Sequence, residues 1–309
     1  MESRLLGTQQ LQRLAEASSV REIQKMLGET GFGAAVTGEG ASVDKLIEAE
    51  EKGALALLKE FDVDGALTAF LLEADYLNLK ALLKASVTGE KNPVLGGEGT
   101  MTAEALRVGV ESDLRSLRPQ MAEAVRVVEK AASDGRLTPH GIDCAVDKAM
   151  YRDIAATAKA GGAKVAEYFR IKADCVNMGT FFRCKKLGLP EKIFDENFME
   201  GGTLEEDFFL SVYDGAADAF REKCRFTPYR ELSEIADVAS LTAFEVAVDN
   251  KLLGLWREEK DDMFSCAPVV GYYLGKLAEI KAVKLIYAGV KNNVEPRLIK
   301  ERMRECYGA

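Results

Sequence analysis

Asp75 and Asn78 stand three residues apart, and Asp174 and Asn177 repeat the pair. Residues three apart share one face of a helix, so each pair could offer oxygen ligands to a hard cation. Such a cation asks for about six oxygens, and the corresponding third place supplies only Glu279, with Ala282 where the amide would stand. A structural role is therefore expected for these side chains, hydrogen-bonding helix ends or the polar backbone of neighbouring helices. His140, the single histidine, follows Pro139 in an expected loop, and no G-x-S-x-G elbow accompanies it. A histidine-based triad has nothing to be built from. The glycines between Gly96 and Gly99 are not followed by Gly-Lys-Ser/Thr, so they are read as a linker and not as a phosphate loop. Cys144, Cys175, Cys184, Cys224, Cys266 and Cys306 form no C-x-x-C pair and are expected as buried free thiols. No catalytic, cofactor-binding or metal-binding residue is assigned.

The elements that carry these residues recur. E-A-D-Y-L-N-L-K from Glu73, K-A-D-C-V-N-M-G from Lys172 and L-A-E-I-K-A-V-K from Leu277 place Asp75, Asp174 and Glu279 in line, 99 and 204 residues after the first. A period of about a hundred residues divides the chain into three units. Leu72, Tyr76, Leu79 and Leu83 follow the spacing of one buried helix face, and Ile171, Cys175, Met178 and Phe182 repeat it. In the third copy Ile280, Val283 and Tyr287 continue the stripe, while Lys276 breaks its first position. A second landmark precedes the carboxylates by 31, 27 and 30 residues: Val43-Asp44-Lys45, Val146-Asp147-Lys148 and Val248-Asp249-Asn250. Asp75, Asn78, Lys80, Asp174, Asn177, Glu279 and Lys284 are thus expected as structural residues of a repeated motif, with Lys80 and Lys284 as helix-surface charges.

Helical patterning dominates and strand signals are nearly absent, so the fold class is all-α. Lys91 to Thr100 and Gly188 to Thr203 combine proline, glycine and asparagine, and each ends in a threonine suited to cap a following helix. They set the expected units at residues 1–92, 93–190 and 191–309. Helix starts are expected near Arg225 to Tyr229 and at Cys266-Ala267-Pro268, and a last helix from about Arg297 to Tyr307. Trp256 is expected in the core or between units.

With 47% hydrophobic residues the chain can build a substantial core. No apolar run approaches the roughly 18 residues of a membrane span, and M-E-S-R-L-L-G-T lacks the apolar centre of a signal peptide. A soluble, cytoplasmic protein is expected. A net charge of −9 argues against nucleic acid and suits a basic partner. The acidic clusters Glu48, Glu50, Glu51 and Glu258, Glu259, Asp261, Asp262 are read as solvated helix faces.

D-x-x-N-L-K at Asp75, D-x-x-N-M at Asp174 and E-I-x-x-V-K at Glu279, in this order and spacing, resemble the C subunit of prokaryotic A/V-type ATPases, the relative of the d subunit of the eukaryotic vacuolar enzyme. The resemblance covers essentially the whole chain. It is strongest where A-E-I-K-A-V-K-L-I-Y-A-G is followed by E-R-M-R-E-C-Y, with Ala282 for the usual Asn, Lys284 for the usual Arg and Ala288-Gly289 where Gly-Lys is common. It implies three similar helical subdomains with pseudo-threefold symmetry forming a funnel. It further implies a non-catalytic socket, one copy per complex, joining central shaft subunits of the D and F types to the membrane proteolipid rotor ring at its cytoplasmic face. Two other classes stay open: a helical repeat adaptor, for which periods of roughly 34 to 47 residues are usual, and a helical enzyme using the Asp/Asn pairs as metal ligands.

Overall fold

Ser19, Ser42, Thr102 and Thr138 each accept a hydrogen bond on their hydroxyl from the backbone N–H three residues on, at 3.3, 3.4, 3.1 and 3.0 Å. A helix begins directly after each, because the hydroxyl replaces a partner that the first turn lacks. Pro119, Pro139, Pro268 and Pro296 sit in first turns, where a missing N–H costs nothing.

The structure, a computed structural model, describes residues 4–34, 36, 41–215, 217–238, 241–262 and 264–307. Its α-helices are α1 (Thr8–Ala15), α2 (Val20–Gly28), α3 (Val43–Glu60), α4 (Thr68–Thr88), α5 (Ala103–Glu111), α6 (Pro119–Ser133), α7 (Pro139–Thr157), α8 (Gly162–Lys186), α9 (Glu191–Asn197), α10 (Glu206–Leu210), α11 (Ala217–Cys224), α12 (Arg230–Val238), α13 (Leu241–Arg257), α14 (Ala267–Lys291) and α15 (Pro296–Lys300). There is no β-strand among the described residues, and the fold is all-α. None of the described helices is long and apolar enough to cross a membrane.

Contacts divide the chain into two compact units, one made of residues up to Phe61 and from Thr242 onward, the other of Asp62–Leu241. In the first, α14 runs along α3, with α1, α2 and α15 packed on α14. Its core joins Leu11, Leu14, Ile23 and Leu27 to Ile280, Val283 and Ile286. In the second, α7 is gripped by α4 and α6. Around Phe181 of α8 the rings of Phe194, Phe209, Tyr213 and Phe220 gather with centroids 4.6 to 5.8 Å away. Such aromatic pairs add to simple burial.

The three repeated motifs lie on the three longest helices, α4, α8 and α14. Leu72, Tyr76, Leu79 and Leu83 are buried, as are Ile171, Cys175 and Met178 and, on α14, Ile280 and Val283. Trp256 is completely buried.

Several sequence expectations need correction. His140 stands in the first turn of α7 and not in a loop, since Thr138 caps that helix and Pro139 opens it. The last helix ends at Lys300; beyond it Arg304 turns back to Asp249 at 2.8 Å and Glu305 donates its N–H to Asn250 at 3.0 Å, so side-chain contacts replace helix. Lys276 does not break the buried stripe of α14: it is only 4% exposed and occupies it as half of an ion pair.

Candidate functional site

Asp75 is 1% exposed and Asp174 fully buried. Asp75 is satisfied by the loop that follows its own helix, and Asp174 by the loop that follows α9, together with Tyr229. Asp75 accepts from the backbone N–H groups of Gly99 (3.1 Å), Thr100 (2.7 Å) and Met101 (3.2 Å) and from the Thr100 hydroxyl (2.6 Å). Asp174 accepts from the N–H of Thr203 (2.9 Å) and Leu204 (2.9 Å), from the Thr203 hydroxyl (2.5 Å), and from Tyr229 Oη (2.5 Å). A buried charge is tolerated where donors of this number converge on it.

The amide one turn on does the same. Asn78 takes the Gly96 N–H at 2.7 Å and gives its own N–H to the Gly97 carbonyl at 3.1 Å. Asn177 takes and gives to Met199 alone, both at 2.8 Å. Each D-x-x-N pair is thus a clamp that draws a downstream loop back against its helix. Gly99 and Gly202 are required at the closest approach. A Cβ on Gly99 would strike the Leu71 carbonyl and the Asp75 carboxylate, and one on Gly202 would strike the Asp174 carboxylate.

Glu279 performs the third version differently. It is 4% exposed and accepts the N–H of Leu6 at 2.5 Å, from the segment that leads into α1. Lys276 lies between Glu279 (2.7 Å) and Glu50 of α3 (2.8 Å), and Glu50 also caps the Gly33 N–H at 2.6 Å. Ala282, buried, stands where the amide of the other copies would be. Burial pushes the Glu279 carboxyl above its usual range against the opposing pull of Lys276 and the Leu6 N–H. Burial likewise raises Asp75, against its four donors.

Lys284 is a helix-surface charge, half exposed and paired, whereas Lys80 is largely covered. Lys80 reaches Asp147 of α7 at 2.8 Å, and Lys284 reaches Glu51 of α3 at 2.6 Å. The earlier landmark is also engaged: Tyr287 Oη donates to Asp44 at 3.1 Å, and Asp249 is paired with Lys281 and with Arg304. Among the acidic clusters, Glu50 is therefore an internal ion-pair partner and not part of a solvated face. Glu48, paired with Lys52 at 2.6 Å with both side chains over 60% exposed, is solvated; Glu258, Asp261 and Asp262 are exposed too, but in the turn after α13 and not on a helix face.

Sequence reasoning missed Arg118 and Asp153. Asp153, 1% exposed on α7, receives Arg118 Nε at 2.6 Å, Arg118 Nη2 at 2.7 Å and Tyr76 Oη at 3.0 Å. Burial and the Asp153 charge push the Tyr76 phenol well above its usual range. The signal available was an aspartate within the apolar face of α7, which its helical spacing marks as buried. Tyr229 had no such signal, since its partner is 55 residues away in sequence. Among the described residues no cluster of three or more His, Cys, Asp or Glu is arranged to hold a metal ion.

The profile of the family described as "ATP synthase (C/AC39) subunit" matches residues 1–302. The chain belongs to this family. Among its relatives, the C subunit of the A-type ATP synthase of Thermococcus gammatolerans is 24% identical over 325 residues, covering 99% of this chain and 87% of the relative. The C subunit of the V-type ATP synthase of Thermus thermophilus is 26% identical over 238 residues, 72% of this chain and 71% of the relative. The C subunit of the V-type sodium ATPase of Enterococcus hirae is 21% identical over 244 residues, 77% and 74% respectively. In this C/AC39 family member, the clamps are the features whose geometry recurs along the chain, and they consume the carboxylates and amides that the sequence offers for chemistry.

Proposed function

We propose that this C/AC39 family member is a non-catalytic socket in the central stalk of a rotary A/V-type ATPase. It joins shaft subunits of the D and F types to the membrane proteolipid rotor ring and couples ATP hydrolysis or synthesis to proton or sodium transport. Its three repeats, 1–92, 93–190 and 191–309, form a funnel of pseudo-threefold symmetry, one copy per complex, at the cytoplasmic face of the membrane. Asp75, Asn78, Lys80, Asp174, Asn177, Glu279 and Lys284 hold that frame together and touch no substrate.

The observation that carries this role is a buried carboxylate at the same place on three long helices, Asp75, Asp174 and Glu279, each accepting backbone N–H groups from a segment outside its helix. A part that transmits torque needs stiffness more than a reaction centre, and internal carboxylates tying each linker to a helix supply it. The net charge of −9 suits basic groups on the shaft or on the ring loops.

The test is to tag the chain in its native cell, solubilise membranes gently, and count what co-purifies. One copy per complex with ATPase head, shaft and proteolipid subunits is expected, and assembly of the purified parts should weaken as salt rises. A soluble protein free of ATPase subunits would reject the role.

A further inference from the structure

α7 and α8 pack together, and a cleft of about 390 Å³ remains between them, with Glu200 and Gly201 of the loop after α9 completing its wall. Ile154 and Phe169 line it together with Ala155, Ala158, Ala166 and Ala173. Methyl groups on both sides leave open a space that longer side chains would close, in a fold whose interior is otherwise expected to be filled. The volume lies within the roughly 300–1,000 Å³ of pockets that hold small molecules.

Two sets of polar groups reach this apolar cleft. Tyr151, in its wall, is only 7% exposed, and its hydroxyl makes no hydrogen bond among the described residues. Burial raises the phenol above its usual range, so it keeps its proton and stays a donor. A donor shielded from water and left without an acceptor costs stability, and an acceptor brought by a ligand would remove that cost. Lys159, just beyond α7, and Arg170 of α8 line the same cleft with exposed side chains, and neither makes an ion pair among the described residues. Glu200, the acid among the lining residues, stands against Arg152 at 4.0 Å. The chain as a whole has 50 acidic and 41 basic side chains, so two cations without counter-charge at one apolar cleft reverse its overall balance.

We propose that this cleft binds a small amphiphilic anion, a carboxylate or phosphate carried on one apolar body, with its head toward Lys159 and Arg170 and its body along Ile154 and Phe169. The contacts of the socket role do not call for such a site, so the two readings stand or fall separately.

The test is equilibrium dialysis of the full chain against labelled dodecanoate, with dodecyltrimethylammonium as the probe of opposite charge. Saturable binding of one dodecanoate per chain is expected, and binding of the cation is not. Lys159→Glu with Arg170→Glu changes only exposed side chains, leaves folding intact, and should weaken dodecanoate binding about tenfold. Ala166→Leu narrows the cleft without removing a charge and should weaken it by a similar factor. A dodecanoate bearing a photoreactive tail should be captured by α7 or α8. Vesicles containing phosphatidylglycerol separate the two sources of such an anion: capture that is lost on charge reversal assigns the head to a bilayer lipid, and dodecanoate binding without capture assigns it to a free acid. Absence of saturable dodecanoate binding, equal binding of the cationic probe, or affinity unchanged in both variants overturns the site.

Discussion

Thr203 gives Asp174 both its backbone N–H and its hydroxyl, and Thr100 gives Asp75 the same two bonds. The pairing converts a threonine at a linker's end into the point where that linker is locked. Asp174→Asn turns part of an acceptor into a donor facing the Thr203 and Leu204 N–H groups and should cost about 2–4 kcal/mol of stability. Thr203→Val removes one hydroxyl bond and should cost about 1 kcal/mol. Denaturant titration of both variants and their combination measures this. Because the two groups share one site, the combined loss should fall short of the sum; strict additivity would show that Asp174 and Thr203 do not act together.

Arg118 and Asp153 form a two-point pair in which the carboxylate is buried and the arginine one-third exposed. Removing one member leaves the other charge without compensation. Asp153→Ala should destabilise by about 3–5 kcal/mol, while Arg118→Met together with Asp153→Leu should recover much of that loss. Tyr76 loses its acceptor in both, so recovery is expected to be incomplete. Thermal unfolding of the three proteins decides, and an Asp153→Ala cost below about 1 kcal/mol would deny the pair a structural part.

The clamp carboxylates could be found in the sequence because they recur at one offset within an apolar stripe, and helical spacing alone gives the face they share. Their partners could not. Thr100 and Thr203 lie 25 and 29 residues downstream of the carboxylates they bind, and Leu6 lies 273 residues from Glu279. No local pattern marks contacts at such separations. Lys276 was misleading for a related reason. A lysine in an apolar stripe signals exposure unless its counter-charges are known, and Glu50 comes from a different helix. The early end of the last helix had the same origin, because Arg304 and Glu305 are held by α13. The start of α14 at Pro268 was legible, but Thr100 and Thr203, expected as helix caps, give their hydroxyls to Asp75 and Asp174, and Thr102 and Glu205 stand at the N-caps of α5 and α10 instead.

Glu279 provides a test by pH. Burial holds its carboxyl above the usual 4.5, with Glu50 adding to the rise while Lys276 and the Leu6 N–H oppose it. The folded chain therefore keeps this proton more tightly than the unfolded chain. The stability it contributes is fully present below about 4.5 and is lost as pH rises through the folded value. Glu279→Gln cannot titrate. Compared with the unaltered chain, the variant should gain in relative Tm as pH is raised from acid toward neutrality. A difference that stays constant with pH would place the Glu279 pKa at its unfolded value.

The cysteines separate by burial. Cys175, Cys184, Cys224 and Cys306 are buried, whereas Cys144 and Cys266 are half-exposed. Burial pushes the Cys224 thiol up to about 11 and raises Cys144 and Cys266 as well. The Cys144 Sγ–H also donates to the Glu196 carbonyl at 2.8 Å, which ties the end of α9 to α7. Since the thiolate is the reactive form, even the accessible pair should react with a thiol reagent at neutral pH more slowly than free cysteine. Two thiols should react in the folded chain and all six in denaturant. Mass spectrometry after brief labelling identifies which two. Rapid native-state labelling of Cys224 would mean that the packing of α11 against α12 opens readily, and with it the turn that carries Tyr229 to Asp174.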